Sequence, residues 1–157
     1  MVGRDAEQSG IIREGAKLVN VVSNSVVPKI TVIVGGSFGA GNYALCGKAF
    51  DPRFIFAWPN AKYAVMGAEQ ASDTLFTILQ RNMQSNKNTL TPEELNQLRE
   101  TVKNNYKEQT DIRYGAARGW VDAIIPPHAT REVLLTALRL VMRKPIQTNF
   151  KTGVLQV

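Results

Sequence analysis

Side chains suited to acid–base, nucleophilic or metal chemistry are scarce in this chain of 157 residues. His128 is the only histidine and stands between Pro127 and Ala129, in a loop ahead of a helix, where a surface role is the expectation. Cys46 is the only cysteine, so no intrachain disulfide can form, and a buried structural thiol is the favoured reading. One histidine and one cysteine do not assemble a common zinc site. A Ser-His-Asp triad would depend on His128 and lacks a serine in a nucleophile elbow. The carboxylates Asp51, Glu69, Asp73 and Asp122 are scattered; each can cap a helix or face solvent, and that is the expectation for most of them.

That leaves the backbone. The run Gly35-Gly36-Ser37-Phe38-Gly39-Ala40-Gly41-Asn42-Tyr43 follows directly on Lys29-Ile30-Thr31-Val32-Ile33-Val34. The apolar, β-branched stretch reads as a buried strand, and Ala40 to Phe50 reads as a helix, so the glycines are expected at a strand-to-helix turn. Such a turn presents free N–H groups and the positive end of a helix dipole, a place for an oxyanion or a phosphate. The glycine spacing matches neither a dinucleotide fingerprint nor a P-loop. A purely structural turn is the rival reading. Six residues of glycine, alanine or serine between Gly35 and Gly41 nevertheless exceed what a turn needs, and close backbone approach to a ligand explains the excess. Chemistry at this place would run on backbone donors that stabilise a negative oxygen in an acyl or carboxyl transfer, with the base supplied by substrate or cofactor.

The elements that must position this turn read as an α/β unit. Hydrophobic residues make up 44% and charged residues 20%, enough for one domain with a core. The net charge of +6 and pI of about 9.7 permit an anionic partner. No interleaved aromatic–basic run, zinc-finger spacing or RNP-like motif points to nucleic acid. No apolar stretch reaches the length of a membrane span and no signal-peptide core follows Met1, so a soluble intracellular protein is expected.

In chain order, a first helix is expected from Asp5 as N-cap, with Gln8 completing a capping box and Ile11, Ile12, Ala16, Leu18, Val19 and Val22 turned inward to Ser23-Asn24-Ser25. Pro28 resets the backbone before the strand. After the helix that Asp51-Pro52 breaks come short strands over Arg53 to Trp58 and Lys62 to Met66, joined by Pro59-Asn60. A helix over Ala68 to Asn82 carries Ala71, Leu75, Ile78 and Leu79 on one face. Residues Gln84 to Asn88 read as a loop or hinge. Thr91-Pro92-Glu93-Glu94 starts a surface helix whose inward stripe is Leu95, Leu98, Val102 and Tyr106. Tyr114 to Trp120 carries small residues for close packing, Val121 to Ile125 is a strand, and a last helix from Thr130 runs through Val133, Leu134, Leu138 and Val141 to Arg143-Lys144, where Pro145 stops it.

Several ordered pieces resemble the C-terminal part of the carboxyltransferase (β) subunit of biotin-dependent acyl-CoA carboxylases, a branch of the crotonase superfamily. They are Met1-Val2-Gly3, Gly10 to Lys17, Val27 to Thr31, the glycine run, Ala57 to Ala61, Val65 to Ala71, Ala116 to Arg118, Ile124 to Pro127 with Thr130-Arg131, and Thr152-Gly153-Val154. Gly41-Asn42-Tyr43, Asp51 to Phe54 and Glu69-Gln70-Ala71 look most like methylcrotonyl-CoA carboxylase, since acetyl- and propionyl-type members usually carry Ala-Tyr-Asp in place of Gly41-Asn42-Tyr43.

The resemblance implies an α/β, ClpP/crotonase-like fold, with residues 1–157 a single truncated carboxyltransferase domain. It implies that the N–H groups of Ala40 and Gly41 form the oxyanion hole for the biotin ureido oxygen, with Phe38, Gly39 and Tyr43 as pocket walls. Carboxybiotin would release CO2, the biotin enolate would take the acidic proton of the acyl-CoA, and the carbanion would attack CO2. Further implications are acyl-CoA as substrate, biotin on a separate biotin carboxylase or biotin carrier subunit, a homo-oligomer of β subunits, and a cytoplasmic or mitochondrial matrix location. No metal, nucleic acid or membrane partner is implied. Since the family subunit is far longer, the expectation is a fragment that does not turn over alone. The alternatives are a biotin-dependent acyl-CoA decarboxylase, which runs the transfer in reverse, and a non-catalytic assembly module.

Overall fold

The computed structural model describes residues 3–85 and 91–143. In chain order the elements are α1 (Arg4–Gln8), α2 (Ile11–Asn24), β1 (Ile30–Ile33), β2 (Gly36–Phe38), α3 (Gly39–Ala44), β3 (Phe54–Ala57), β4 (Lys62–Ala64), α4 (Ala68–Ser85), α5 (Pro92–Thr110), α6 (Ile112–Ala116), β5 (Ala123–Ile124) and α7 (Thr130–Val141).

The core is built on β3. It is the middle strand of a parallel sheet in the order β1–β3–β5, with Ile33 opposite Ala57 and Ala57 opposite Ile124. Its sequence Phe-Ile-Phe-Ala is apolar on both sides, as a strand covered on both faces must be. The two-residue side-chain period splits it between two clusters. Ile55 and Ala57 pack with Ile33, Ala61, Ile112 and Val121, while Phe56 packs with Ile125 and Ala137. The partly parallel α/β pairing expected from the alternation of strands and helices is borne out, with each strand shorter than expected.

Asp122 ties the sheet edge. Its carboxylate accepts a hydrogen bond from the Ile55 N–H at 2.7 Å, and its own N–H donates to the Ile55 carbonyl at 2.8 Å. Asp122 is exposed, as expected of a solvent-facing carboxylate, and the pairing with Ile55 is an addition to that reading. The Trp58 indole N–H donates to the Thr130 hydroxyl at 2.9 Å and joins the end of β3 to the start of α7.

The N-terminal helix is two helices. Gly10, at φ +92°, is left-handed and separates α1 from α2. Asp5 consequently lies inside α1, Gly3 holds the N-cap position, and no side-chain cap bond forms. The stripe expected to face inward on α2 does not do so: Ile11, Ile12, Ala16 and Leu18 are exposed and Val19 and Val22 half-buried. The helix is amphipathic, yet the described residues supply no surface that buries its apolar side.

Helices α4 and α5 lie antiparallel, linked by the Asp73–Arg99 and Glu69–Lys103 ion pairs. Ala71 is buried as expected, but Leu75 and Ile78 are exposed because α5 covers only part of that face. The capping box at Thr91 is present: the Thr91 N–H donates to the Glu94 carboxylate at 2.8 Å, and the Glu94 N–H to the Thr91 hydroxyl at 3.3 Å. Leu95, Leu98, Val102 and Tyr106 are half-buried, which fits a surface helix. The loop expected over 84–88 is helical at 84–85, and 86–88 lie outside the described residues. α7 buries Ala137 and Val141 but leaves Leu138 exposed. The stop expected at Pro145 and the final matching piece at 152–154 also lie outside the described residues.

Candidate functional site

The glycine run is more structured than a single turn. Its residues Gly36–Phe38 form β2, which pairs in parallel with β4, Gly36 opposite Lys62 and Phe38 opposite Ala64. Helix α3 starts at Gly39 and ends at Ala44, so the helix expected from Ala40 to Phe50 is replaced by a six-residue helix and a separate 3-10 turn, Lys48–Phe50. The helix stops where Cys46 takes a left-handed φ of +64°. A strand carries the chain up to the first helical turn, and the second sheet holds that strand in place.

Gly39 sits at the hinge between β2 and α3 with φ +52°, a conformation that favours glycine, and a Cβ there would lie 3.1 Å from the Val65 carbonyl oxygen. Ala40 and Gly41 follow as residues of the first helical turn, whose N–H groups have no acceptor within the helix. No side chain caps α3, and no turn or loop hydrogen bond among the described residues uses the N–H of Ala40 or Gly41. A Cβ built on Gly41 meets nothing within 4 Å, so the backbone can be approached closely there. With only six residues the helix contributes little dipole, and any anion stabilisation here comes from directed N–H donors.

The run divides two hollows. One, of about 370 Å³, is walled by β1 and the glycine run and includes Phe38, Gly41 and Leu45. The other, of about 470 Å³, is reached from Gly39 and Tyr43 and is walled by Lys48, Tyr63, Val65, Arg118 and Trp120. The five residues expected at the site therefore do not share one cavity. Phe38 and Gly41 line the first, Gly39 and Tyr43 the second, and Ala40 lies on the turn between them. Asn42 borders both hollows, and its side-chain carbonyl oxygen accepts a hydrogen bond from the Ser37 hydroxyl at 3.1 Å.

Five wall residues escape sequence reasoning: Asn42, Lys48, Tyr63, Arg118 and Trp120. For Arg118 a signal exists, because Tyr114 precedes it by one helical turn, a spacing that stacks a guanidinium on a ring. The others arrive from separate elements. Behind the site, Cys46 is buried; desolvation pushes its thiol up, opposed by the nearby Lys29 ammonium and by Thr31. His128 is exposed in the 3-10 turn Pro127–Ala129, away from both hollows, as the loop reading expects. Among the described residues no group of three His, Cys, Asp or Glu is placed to hold a metal ion. None of the described helices is long and apolar enough to cross a membrane.

Residues 1–154 match the family model described as carboxyl transferase domain. Over 146 residues the chain is 44% identical to the mitochondrial methylcrotonoyl-CoA carboxylase beta chain of Dictyostelium discoideum, covering 93% of this chain and 25% of that protein. Against the biotin-dependent 3-methylcrotonyl-coenzyme A carboxylase beta1 subunit of Mycobacterium tuberculosis it is 43% identical over 146 residues, covering 93% of this chain and 28% of the relative. Among solved structures, the P. aeruginosa geranyl-CoA carboxylase beta subunit superposes with a TM-score of 0.75 at 38% identity, over 98% of this chain and 29% of that one. The chain thus spans about a quarter of the length of these curated relatives.

Proposed function

Since the chain belongs to the carboxyl transferase domain family and has the crotonase-like α/β fold expected of it, we propose that it forms the biotin-binding part of a biotin-dependent acyl-CoA carboxyltransferase. The observation that carries this reading is the uncapped first turn of α3 at the junction of two hollows. Ala40 and Gly41 offer two adjacent backbone donors where a ureido oxygen gathers negative charge, and the open approach at Gly41 lets a ring system reach them.

Residues of the chain fit that group. Hollows of about 370 and 470 Å³ lie in the range that holds a small bicyclic ring. When bound, carboxylated biotin supplies the carboxyl group, so the chain needs no catalytic acid or base of its own. Its backbone orients the ureido oxygen and stabilises charge there, and Gly39 keeps the turn in its left-handed form beside Val65. The substrate by this reading is an acyl-CoA of the methylcrotonyl type, and the partners are a biotin carboxylase or biotin carrier subunit and further copies of the same subunit. By the same reading, the site of action is the mitochondrial matrix or the cytoplasm.

We further infer that the 157 residues alone do not turn over. Exposed Ile12 and Val21 of α2, together with Leu45 and Val65 beside the site, call for a covering surface that the described residues lack. Turnover by the isolated chain in a carboxyl-transfer assay would refute this.

The test of the donor role is Ala40→Pro in the full-length assembled subunit. Ala40 is in the first turn, where proline is accommodated, so the change removes one N–H with little cost to the helix. Carboxyl transfer should fall about 100- to 1,000-fold with assembly intact. Transfer that survives the change means that the donors are not used, and favours an assembly role for this segment.

A further inference from the structure

The hollow on the Tyr43 side has a chemistry that backbone donors leave unused. Lys48 and Arg118 both line it, against walls that include Tyr43, Tyr63 and Trp120. No carboxylate side chain lines it, and neither cation takes part in an ion pair among the described residues. Lys48 is half-buried and Arg118 exposed, so the hollow carries two cations without a counter-charge on its walls, and an anion there would meet charge-assisted donors.

Arg118 is also held in position. Its guanidinium carbon lies 3.2 Å from the centroid of the Tyr114 ring, and Nη1 donates to the Tyr114 carbonyl at 3.1 Å. Tyr114 meets Trp120 edge-on with ring centroids 6.0 Å apart, and Trp120 lies 5.5 Å from Tyr63. Gly115 permits that packing, since a Cβ there would come within 3.0 Å of the Trp120 ring. A guanidinium stacked on a ring keeps most of its five N–H donors free in a planar fork, the geometry that matches a carboxylate.

We propose that Arg118 is the carboxylate anchor of this hollow: it takes the carboxyl oxygens of N-carboxylated biotin, with Lys48 adding charge and the aromatic walls taking the ring. The assignment rests on the biotin reading of the neighbouring turn and adds to it a discrimination between carboxylated and uncarboxylated cofactor. The anion could instead be a phosphate of the CoA moiety, and the experiment separates the two.

Calorimetric titration of the full-length assembled subunit with biotin methyl ester, with its N1-carboxymethyl derivative as a stable carboxylate-bearing probe, and with CoA tests this directly. The subunit should bind the carboxylate probe about tenfold or more tightly than the neutral ester. Arg118→Gln should abolish that preference and Arg118→Lys restore part of it, with affinity for the ester and for CoA unchanged within about twofold. No preference in the unmodified subunit, or a preference that survives Arg118→Gln, overturns the proposal. A loss of CoA affinity instead shows that the anion is a phosphate and overturns it equally. If Ala40→Pro abolishes transfer while Arg118→Gln keeps the preference, only the anchor fails. If Ala40→Pro leaves transfer intact, the underlying biotin reading fails.

Discussion

Strand β3 and helix α2 both carry clear hydrophobic patterns. In β3, Ile55 is 2% exposed and Ala57 fully buried; in α2, Ile12 is 70% exposed and Val21 67%. The difference lies in what the rest of the chain supplies. β3 is flanked by β1 and β5 and covered through Ile112 on one side and Ala137 on the other. α2 touches α1 and α3 and buries no residue. A pattern thus specifies which face is apolar, while burial requires a second surface of matching shape.

A pair of truncations measured by urea unfolding separates the covered pattern from the uncovered one. Ile112→Ala, at a fully buried position, should cost about 2–5 kcal/mol, whereas Ile12→Ala should change the stability of the 157-residue chain by less than about 0.5 kcal/mol. Equal losses would mean that α2 is covered after all. In the full-length subunit Ile12→Ala should cost more than in the isolated chain, if α2 finds its cover there.

A smaller effect is expected at the hinge that the sheet region holds for the site. Gly39→Ala should cost about 1–3 kcal/mol, through the left-handed φ of +52° and a Cβ 3.1 Å from a backbone oxygen. Gly41→Ala, which meets open space, should cost less than about 1 kcal/mol, and a reversed order would place the close approach at the wrong glycine.

Next comes the clamp at the sheet edge. Asp122→Ala should cost about 1–2 kcal/mol by removing the acceptor of the Ile55 N–H, and Asp122→Asn, which keeps one acceptor oxygen, should cost less. Equal effects from both changes would point to the charge rather than the hydrogen bond.

The smallest effect sits at the start of α5. Backbone and side-chain hydrogen bonds from Thr91 hold the Glu94 carboxyl below its ordinary value of 4.5. A lowered folded-state value means that the cap contributes fully above the unfolded value and is lost as pH falls through the folded one. Amide exchange in the first turn of α5 should therefore quicken as pH drops below about 4.5 after correction for intrinsic rates, and Glu94→Gln should remove that dependence. A pH dependence that persists in Glu94→Gln would assign it to another group.

Local signals were read correctly where they close over a few residues. The Thr91 capping box needs only four consecutive residues, the Pro59-Asn60 turn two, and the apolar runs at Ile30 to Ile33 and Phe54 to Ala57 carry their strand character in their own composition. Gly10 misled because a glycine within a periodic apolar stretch can continue a helix or break it, and here its left-handed φ breaks it. The helix expected over Ala40 to Phe50 stops at Ala44, because the chain takes a left-handed turn at Cys46 ahead of Gly47 and runs on to β3. Asp122 is exposed as its sequence suggests, but its pairing with Ile55, 67 residues away, has no local signal.

The sequence singles out the glycine run as the candidate for chemistry on backbone donors, because the chain has one histidine and one cysteine to offer as alternatives. It also determined the family, through ordered motifs spread over residues 1–154. The tertiary structure alone shows that the run is half strand and half helix, that Phe38 and Gly41 line one hollow and Gly39 and Tyr43 another, and that Arg118 joins Tyr43 in the walls of the second. The reason is separation along the chain: β2 is held by β4, and the hollow's walls come from segments near residues 43, 63 and 118, whose meeting depends on how the sheets are paired.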